Sequence, residues 1–265
     1  MDSSGELELL AESLRKAMTS VASGPGLYAA LAEFGWQDLL AELPDVAIPL
    51  VFRLLGETGS HAPVLNDLVE PGQTPSLPYA GGGWVIWQRA DIPGTALEIP
   101  LQRVPEAGVV PAEALACGRR AIGWWLLGTG RAMLSLARQH AVDRVQFGKP
   151  IASFQAVRHK LAETLVALDG AEATLRAAGG DLRAAGDGEL ASLLAKAAAG
   201  QAALLAAKHC QQVLGGIGFT AEHALHHHVK RVLVLDGLLG STHELTREAG
   251  RRVIATGSAP RLADL

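Results

Sequence analysis

Asp143-Arg144-Val145-Gln146-Phe147-Gly148-Lys149-Pro150, with Phe154-Gln155-Ala156 shortly after it, is the stretch on which the fold turns. On its N-terminal side, Ala112 to Val142 contains no proline and reads as one long helix. Gly148, Lys149 and Pro150 break it, because proline lacks a backbone N–H and disfavours helical geometry in the residue before it. On the other side a second helix runs to about Ala178. Ser153 is its candidate N-cap, since a hydroxyl can accept a bond from an unpaired N–H of the first turn. Gly179 to Gly188 reads as a glycine-rich loop, with Asp187 as a further N-cap candidate. Glu189 to Leu214 is a third long helix, ended by Gly215, Gly216 and Gly218. Thr220 is read as the cap of a fourth, to about Leu235, and Ser241 opens a fifth. Ser241 and Glu244 fit the capping box, in which each side chain satisfies the other's orphan backbone N–H. Long antiparallel helices with short loops predict a helix bundle over 111–258, followed by a tail, 259–265.

The chain changes character near Pro111. Before it, elements are short and proline is frequent. Met1 to Met18 reads as an amphipathic helix, with Leu7, Leu10, Leu14 and Met18 at helical spacing. Gly26 to Leu43 reads as a second helical region and Val46 to Glu57 as a third. These make an N-terminal helical region, 1–70. Over 71–110 a reduced β segment is expected. Pro71 to Pro78 is a loop, and Gly81 to Gly83 form a tight turn before a strand over Trp84 to Gln88. Another strand spans Ala96 to Val104. The fold class is therefore mainly α.

Composition narrows the function classes. The 265 residues are 49% hydrophobic, which fits a folded globule rather than a disordered chain. The net charge of −4 gives no basic footprint for nucleic acid. Met1 to Arg15 is acidic and polar, without a basic start and apolar run, so no signal peptide is read and a cytoplasmic location is expected. The apolar runs Ala121 to Gly130 and Leu190 to Ala207 are read as buried helices, not membrane spans. Arg131 ends the first, and Lys196 and Gln201 interrupt the second. Cys117 and Cys210 lie in helix-like apolar stretches and read as buried thiols.

Three ordered motifs carry a family resemblance. Arg144 to Pro150 with Phe154-Gln155 resembles the "RxxFGKPI..FQ" signature of the acyl-CoA dehydrogenases. Gln212-Val213-Leu214-Gly215-Gly216-Ile217-Gly218-Phe219-Thr220 resembles the family's "QxxGGxGFT" motif. Glu222 to Gly240 is similar to the helix that follows it. The resemblance covers roughly Glu113 to Ile254 and implies an acyl-CoA dehydrogenase-like fold. By that resemblance these motifs embrace the adenine and pyrophosphate end of FAD across a subunit interface. Carried over by position, this implicates Arg144, Gln146, Phe147, Gln155, Gln212 and Gly216. Each also has a plainer reading. Arg144 could offset a helix dipole or clamp a pyrophosphate through a planar fork. Gly215 and Gly216 could form a left-handed helix cap or admit a ligand close to the backbone. Gln155 could be only a solvated helix residue. His223, His226, His227 and His228 cluster on one helix, with His223 and His227 four apart, but no evident third ligand completes a metal site and none is assigned.

The family's chemistry removes an α-proton and passes a β-hydride to the flavin, which needs a carboxylate base. By the resemblance that base precedes the Gly-Ser opening the last helix, and here the position is Leu239. In some members it lies on the first long helix instead, before an arginine that matches Arg119, and here that position is Gly118. Both are empty of carboxylate, so no catalytic residue is assigned. Glu244 could be a relocated base, or only the partner of the capping box. The family's threonine- and glycine-rich ring-binding segment also has no match over Pro71 to Val110. Some family members are heteromers in which a degenerate subunit completes the FAD site of a full-length one. The resemblance thus implies a subunit that shares FAD with a full-length partner in an α2β2 assembly. The partner would carry the base and bind most of the acyl-CoA, which by analogy could be steroid-derived. The alternatives are a homo-oligomeric dehydrogenase with a relocated base, or a flavin-free helical scaffold.

Overall fold

The computed structural model describes residues 3–88, 99–179 and 188–257. The N-terminal part contains α1 (Ser3–Ser20), α2 (Pro25–Glu33), α3 (Trp36–Glu42), α4 (Pro44–Thr58) and the short α5 (Leu65–Val69). The single helical region expected over Gly26–Leu43 is thus two helices. Gly35 separates them at φ 76, a left-handed geometry that glycine adopts without steric penalty. A three-stranded antiparallel sheet follows, β1 (Ser76–Tyr79), β2 (Gly83–Trp87) and β3 (Leu101–Val104), paired in that order. The loop expected through Pro78 therefore ends in a strand. Pro78 is tolerated because β1 lies at the sheet's edge, where proline's missing N–H breaks no ladder bond. Residues 96–98 of the expected strand, the Asp187 cap and the tail 259–265 fall outside the described residues.

The C-terminal part is a bundle of α6 (Ala112–Asp143), α7 (Gln155–Gly179), α8 (Gly188–Leu214), α9 (Leu225–Gly237) and α10 (Thr242–Thr256). Gly123 of α6 packs under Leu175, and Gly130, two turns on, under Leu168. Ascending positions on α6 thus meet descending positions on α7, and the two run antiparallel. On α8, Thr164 meets His209 near the helix's end while Ala199 faces the Gly123–Leu175 contact, so α7 and α8 are antiparallel as well. The stretch Gly188–Phe219, which contains α8, is long and apolar enough to cross a membrane, and 67% of its most apolar window is buried within the fold.

One aromatic core joins the parts. Trp36 of α3, Phe52 of α4, Trp87 of β2 and Trp125 of α6 are all buried. Trp87 stacks on Trp125 at 5.6 Å and Phe52 meets Trp125 edge-on at 5.9 Å, geometries that suit the ring quadrupoles. Glycines let α4 and α6 touch backbone to backbone. A Cβ on Gly128 would collide with the Arg53 carbonyl, and one on Gly56 with the backbone of Trp125 and Thr129.

The helix starts refine the sequence reading. Ser241 caps α10 and forms the expected reciprocal box with Glu244. Ser153 does not cap α7: its hydroxyl donates back to the Pro150 carbonyl at 2.7 Å. Thr220 likewise donates to Ile217 at 2.9 Å, and α9 begins only at Leu225. In both cases a short 3-10 turn precedes the helix and offers the hydroxyl a nearer carbonyl.

Candidate functional site

Two places matter, at opposite ends of α6. At its C-terminal end, Arg144 leaves the helix in extended geometry. A two-residue hairpin follows, β4 (Val145–Gln146) paired with β5 (Lys149–Pro150). Its turn residues, Phe147 and Gly148, have φ 52 and φ 77. Both central residues of a type I′ turn require positive φ, which is why Asn-Gly is usual there. Phenylalanine in that conformation is strained, and its side chain is 91% exposed. It leans edge-on against Phe154 at 6.2 Å, and the Lys149 ammonium sits 4.6 Å over the Phe154 ring. A strained, solvent-facing aromatic on a braced hairpin is a group presented for contact.

The second motif arrives at the same end. α8 finishes at Leu214 and passes into the 3-10 turn Gly215–Phe219. Gly216 is exposed, and a Cβ there would meet nothing within 4 Å. His140, one turn before Arg144, has its pKa lowered by burial, by His223 two residues ahead of α9 and by Arg144. α9 packs against α6. Arg144, Gln146, Gln155 and Gln212 are all exposed, as are Val142, Val145, Ile217 and Phe219. The predicted residues are thus all exposed, some on and beside the hairpin and others where α8 ends, and they offer cations, amides and apolar side chains. That donor set suits a diphosphate carrying a flat ring: guanidinium and amides for oxygens, Phe147 for the ring face, and bare Gly216 backbone for close approach.

At the N-terminal end of α6, the two candidate base positions turn out to be one place. A Cβ on Gly118 would lie 2.8 Å from Leu239 Cδ1, with Leu65 and Val69 next nearest. Leu239 is fully buried, so this spot is packed hydrocarbon. Its backbone, at φ 60, is fixed from two sides. Its N–H donates to the Pro78 carbonyl at 2.8 Å, and its carbonyl accepts from Arg119 Nε at 3.1 Å. An isolated bridge between Tyr79 and Leu238 lays β1 along the same loop. The sheet thus seals the position rather than opening a crevice over it.

Glu244 is tied into that seal. One carboxylate oxygen accepts from the Gly81 N–H at 2.8 Å. The other accepts from the Ser241 N–H at 2.9 Å and the Ser241 hydroxyl at 2.7 Å. The Gly81 bond, then those from Ser241, hold its pKa below the ordinary value, which makes it a weaker base.

Lys196 is a buried group whose role the sequence did not reveal. Its ammonium is fully enclosed and donates to the carbonyls of Asp236 at 3.0 Å and Gly240 at 2.5 Å, bracketing Leu239. Burial brings its pKa down to about 7. The only hint in the sequence is the one charge inside the apolar run Leu190 to Ala207. Among the histidines, His223 accepts the Leu225 N–H at 3.1 Å, and His228 is lowered to about 4 by burial, Arg231 and His227. Among the described residues no three His, Cys, Asp or Glu side chains gather as a metal site. Cys210 is buried, which pushes its thiol up to about 12 and leaves it unreactive.

Known proteins can be set beside this geometry. Residues 109–254 match the family described as acyl-CoA dehydrogenase, C-terminal domain. The chain is 39% identical over 157 residues to acyl-CoA dehydrogenase FadE34 of Mycobacterium tuberculosis, a match covering 57% of this chain and 20% of that protein. The chain thus aligns with only a part of that curated relative. Among solved structures, the Tcur3481-Tcur3483 steroid ACAD G363A variant superposes with a TM-score of 0.73 at 19% identity, over 96% of this chain and 99% of that one. The ChsE4-ChsE5 complex from Mycobacterium tuberculosis gives 0.64 at 17%, over 98% and 99%. At those identities the likeness is one of fold. With the three motifs gathered on one bundle and the domain match spanning more than half of its length, the chain belongs to the acyl-CoA dehydrogenase family, whose members generally bind FAD.

Proposed function

We propose that this chain is the non-catalytic subunit of a hetero-oligomeric acyl-CoA dehydrogenase, in an α2β2 assembly with a full-length partner. It holds the adenine and pyrophosphate end of FAD, and the partner supplies the carboxylate and binds most of the acyl-CoA. The observation that carries this reading is the contrast between the two ends of α6. Near one end Arg144, Gln146, Phe147, Gln155, Gln212 and Gly216 are all exposed, while at the other the buried Leu239 is packed against Gly118. Bound FAD would supply the hydride acceptor for α,β-dehydrogenation. This chain's part is binding and orientation. The Arg144 fork bonds pyrophosphate oxygens, the three glutamine amides fix the tail's direction, and Phe147 covers a ring face. Two of the structures that share the fold carry paired chain names, and one is described as a steroid ACAD. That supports a two-chain assembly and a bulky, steroid-derived acyl group. A homo-oligomeric enzyme with Glu244 as relocated base is disfavoured, because that carboxylate is occupied by three hydrogen bonds.

The test is reconstitution. The chain expressed alone is expected to hold little or no FAD and to give no acyl-CoA-dependent bleaching. Co-expressed with a full-length family subunit that retains its carboxylate, it is expected to yield a yellow, active complex. Stoichiometric FAD and bleaching in a homogeneous preparation of this chain alone would overturn the proposal. An assembled complex that never holds FAD would favour a scaffold.

A further inference from the structure

A crevice of about 830 Å³ lies away from both places just described, between α1, α4, the first half of α6 and the end of α7. Its volume falls in the range of small-molecule sites, ~300–1,000 Å³. Leu7, Ile48, Leu50, Trp124 and Leu175 give it apolar walls. The most deeply buried polar group in those walls is Arg120, which is 7% exposed, while the exposed carboxylates of Glu8 and Asp45 stand at the rim. Its Nη1 makes an ion pair with Asp45 Oδ1 at 3.3 Å, and the Asp45 side chain is itself half-exposed. Gly179 stands at the same guanidinium, where a Cβ would come within 3.3 Å of Nη1. Arg53 and Arg176 also line the crevice, paired with Glu57 and Glu172.

We propose that this crevice binds a carboxylic acid with a long apolar body, its carboxylate on Arg120 and its chain along Trp124 and Leu175. A buried guanidinium is a fork for a planar carboxylate, and desolvation by the surrounding apolar walls strengthens such a bond. Asp45 already occupies one arm with this chemistry at long range and from an exposed position. A ligand carboxylate therefore exchanges with it while the positive charge stays neutralised. The walls select for hydrocarbon because burial of apolar surface scales with chain length.

The experiment titrates dodecanoate, kept below its micelle concentration, into the full-length protein. Tryptophan fluorescence and calorimetry give the readout, with Trp124→Phe identifying the reporter. Saturable binding of one molecule per chain is expected, tightening from dodecanoate to hexadecanoate. Dodecan-1-ol, with the same chain and no carboxylate, is expected to bind at least tenfold more weakly. Arg120→Met keeps the hydrocarbon packing and removes the charge, and should weaken dodecanoate at least tenfold while leaving dodecan-1-ol unchanged. Ala11→Trp, at a half-buried position in the same wall, puts an indole into the crevice and should abolish binding of both. Absence of saturable dodecanoate binding to the wild type would overturn the proposal. So would equal affinity for acid and alcohol, or binding unaffected by Ala11→Trp.

Discussion

Replacing Leu239 with glutamate restores the family's base in name and should mainly unfold the protein. The leucine is fully buried against Gly118, Leu65 and Val69. Losing a buried side chain of this size costs ~2–5 kcal/mol, and a carboxyl without a partner adds ~1–3 kcal/mol. A total of about 3–8 kcal/mol is expected near pH 5, where a buried carboxyl stays protonated. Above that the penalty grows. Burial raises the folded pKa above the ~4.3 of the unfolded chain. In the window between the two values the folded state binds more protons, so stability falls as pH rises, by ~1.36 kcal/mol per unit at most. Thermal melts from about pH 5 to about pH 8 read this directly, and at this size 1 kcal/mol moves the midpoint by ~2–4 °C. Leu239→Met, which conserves volume, should cost less than ~1.5 kcal/mol and show no such pH dependence. A Leu239→Glu protein that melts like the wild type at every pH would mean that Arg119 receives the carboxylate and the position is open. Acyl-CoA turnover by that variant without a partner would refute the reasoning outright.

Two further outcomes follow from the same contacts. The lowered Lys196 pKa means the unfolded chain binds this proton more tightly between about 7 and the ordinary lysine value, so this group makes stability rise with pH across that window; Lys196→Met should flatten the rise in melts from pH 7 to 9. Phe147→Asn gives the type I′ turn its preferred residue and should stabilise the isolated chain by about 0.5–1 kcal/mol in urea titrations, while lowering the FAD content of the assembled complex.

Much of the fold is legible in the sequence, and the exceptions have identifiable causes. Helix bodies followed from apolar periodicity, and the Ser241–Glu244 box was read correctly because both partners lie on one turn. Ser153 and Thr220 misled because a hydroxyl chooses between an N–H ahead and a carbonyl behind, and the intervening 3-10 turns tip that choice. The break at Gly35 was hidden in an apolar run, since a glycine inside a helical pattern carries no sign of its φ. That Gly118 and Leu239 share one place could not be read from their 120-residue separation, because only the packing of α6 against the loop before α10 joins them. The candidate cofactor residues were found through the family motifs, while the strain at Phe147 appeared only with the backbone.

By the proposed function, Arg144 and its neighbours hold the flavin tail for a partner. Titration calorimetry of FAD into the apo-complex, wild type against Arg144→Ala, tests it most directly, with melts of the same preparations as a control. A charge-assisted hydrogen bond contributes about 1.5–3 kcal/mol, so the account predicts a roughly ten- to hundredfold loss of FAD affinity in a complex that remains assembled. Arg144→Lys should recover only part of it, because a point charge does not reproduce the planar fork. If Arg144 only offsets the α6 terminus, the variant loses under ~1 kcal/mol of stability and keeps its flavin. Unchanged FAD affinity in an assembled Arg144→Ala complex would show that Arg144 does not hold the flavin tail.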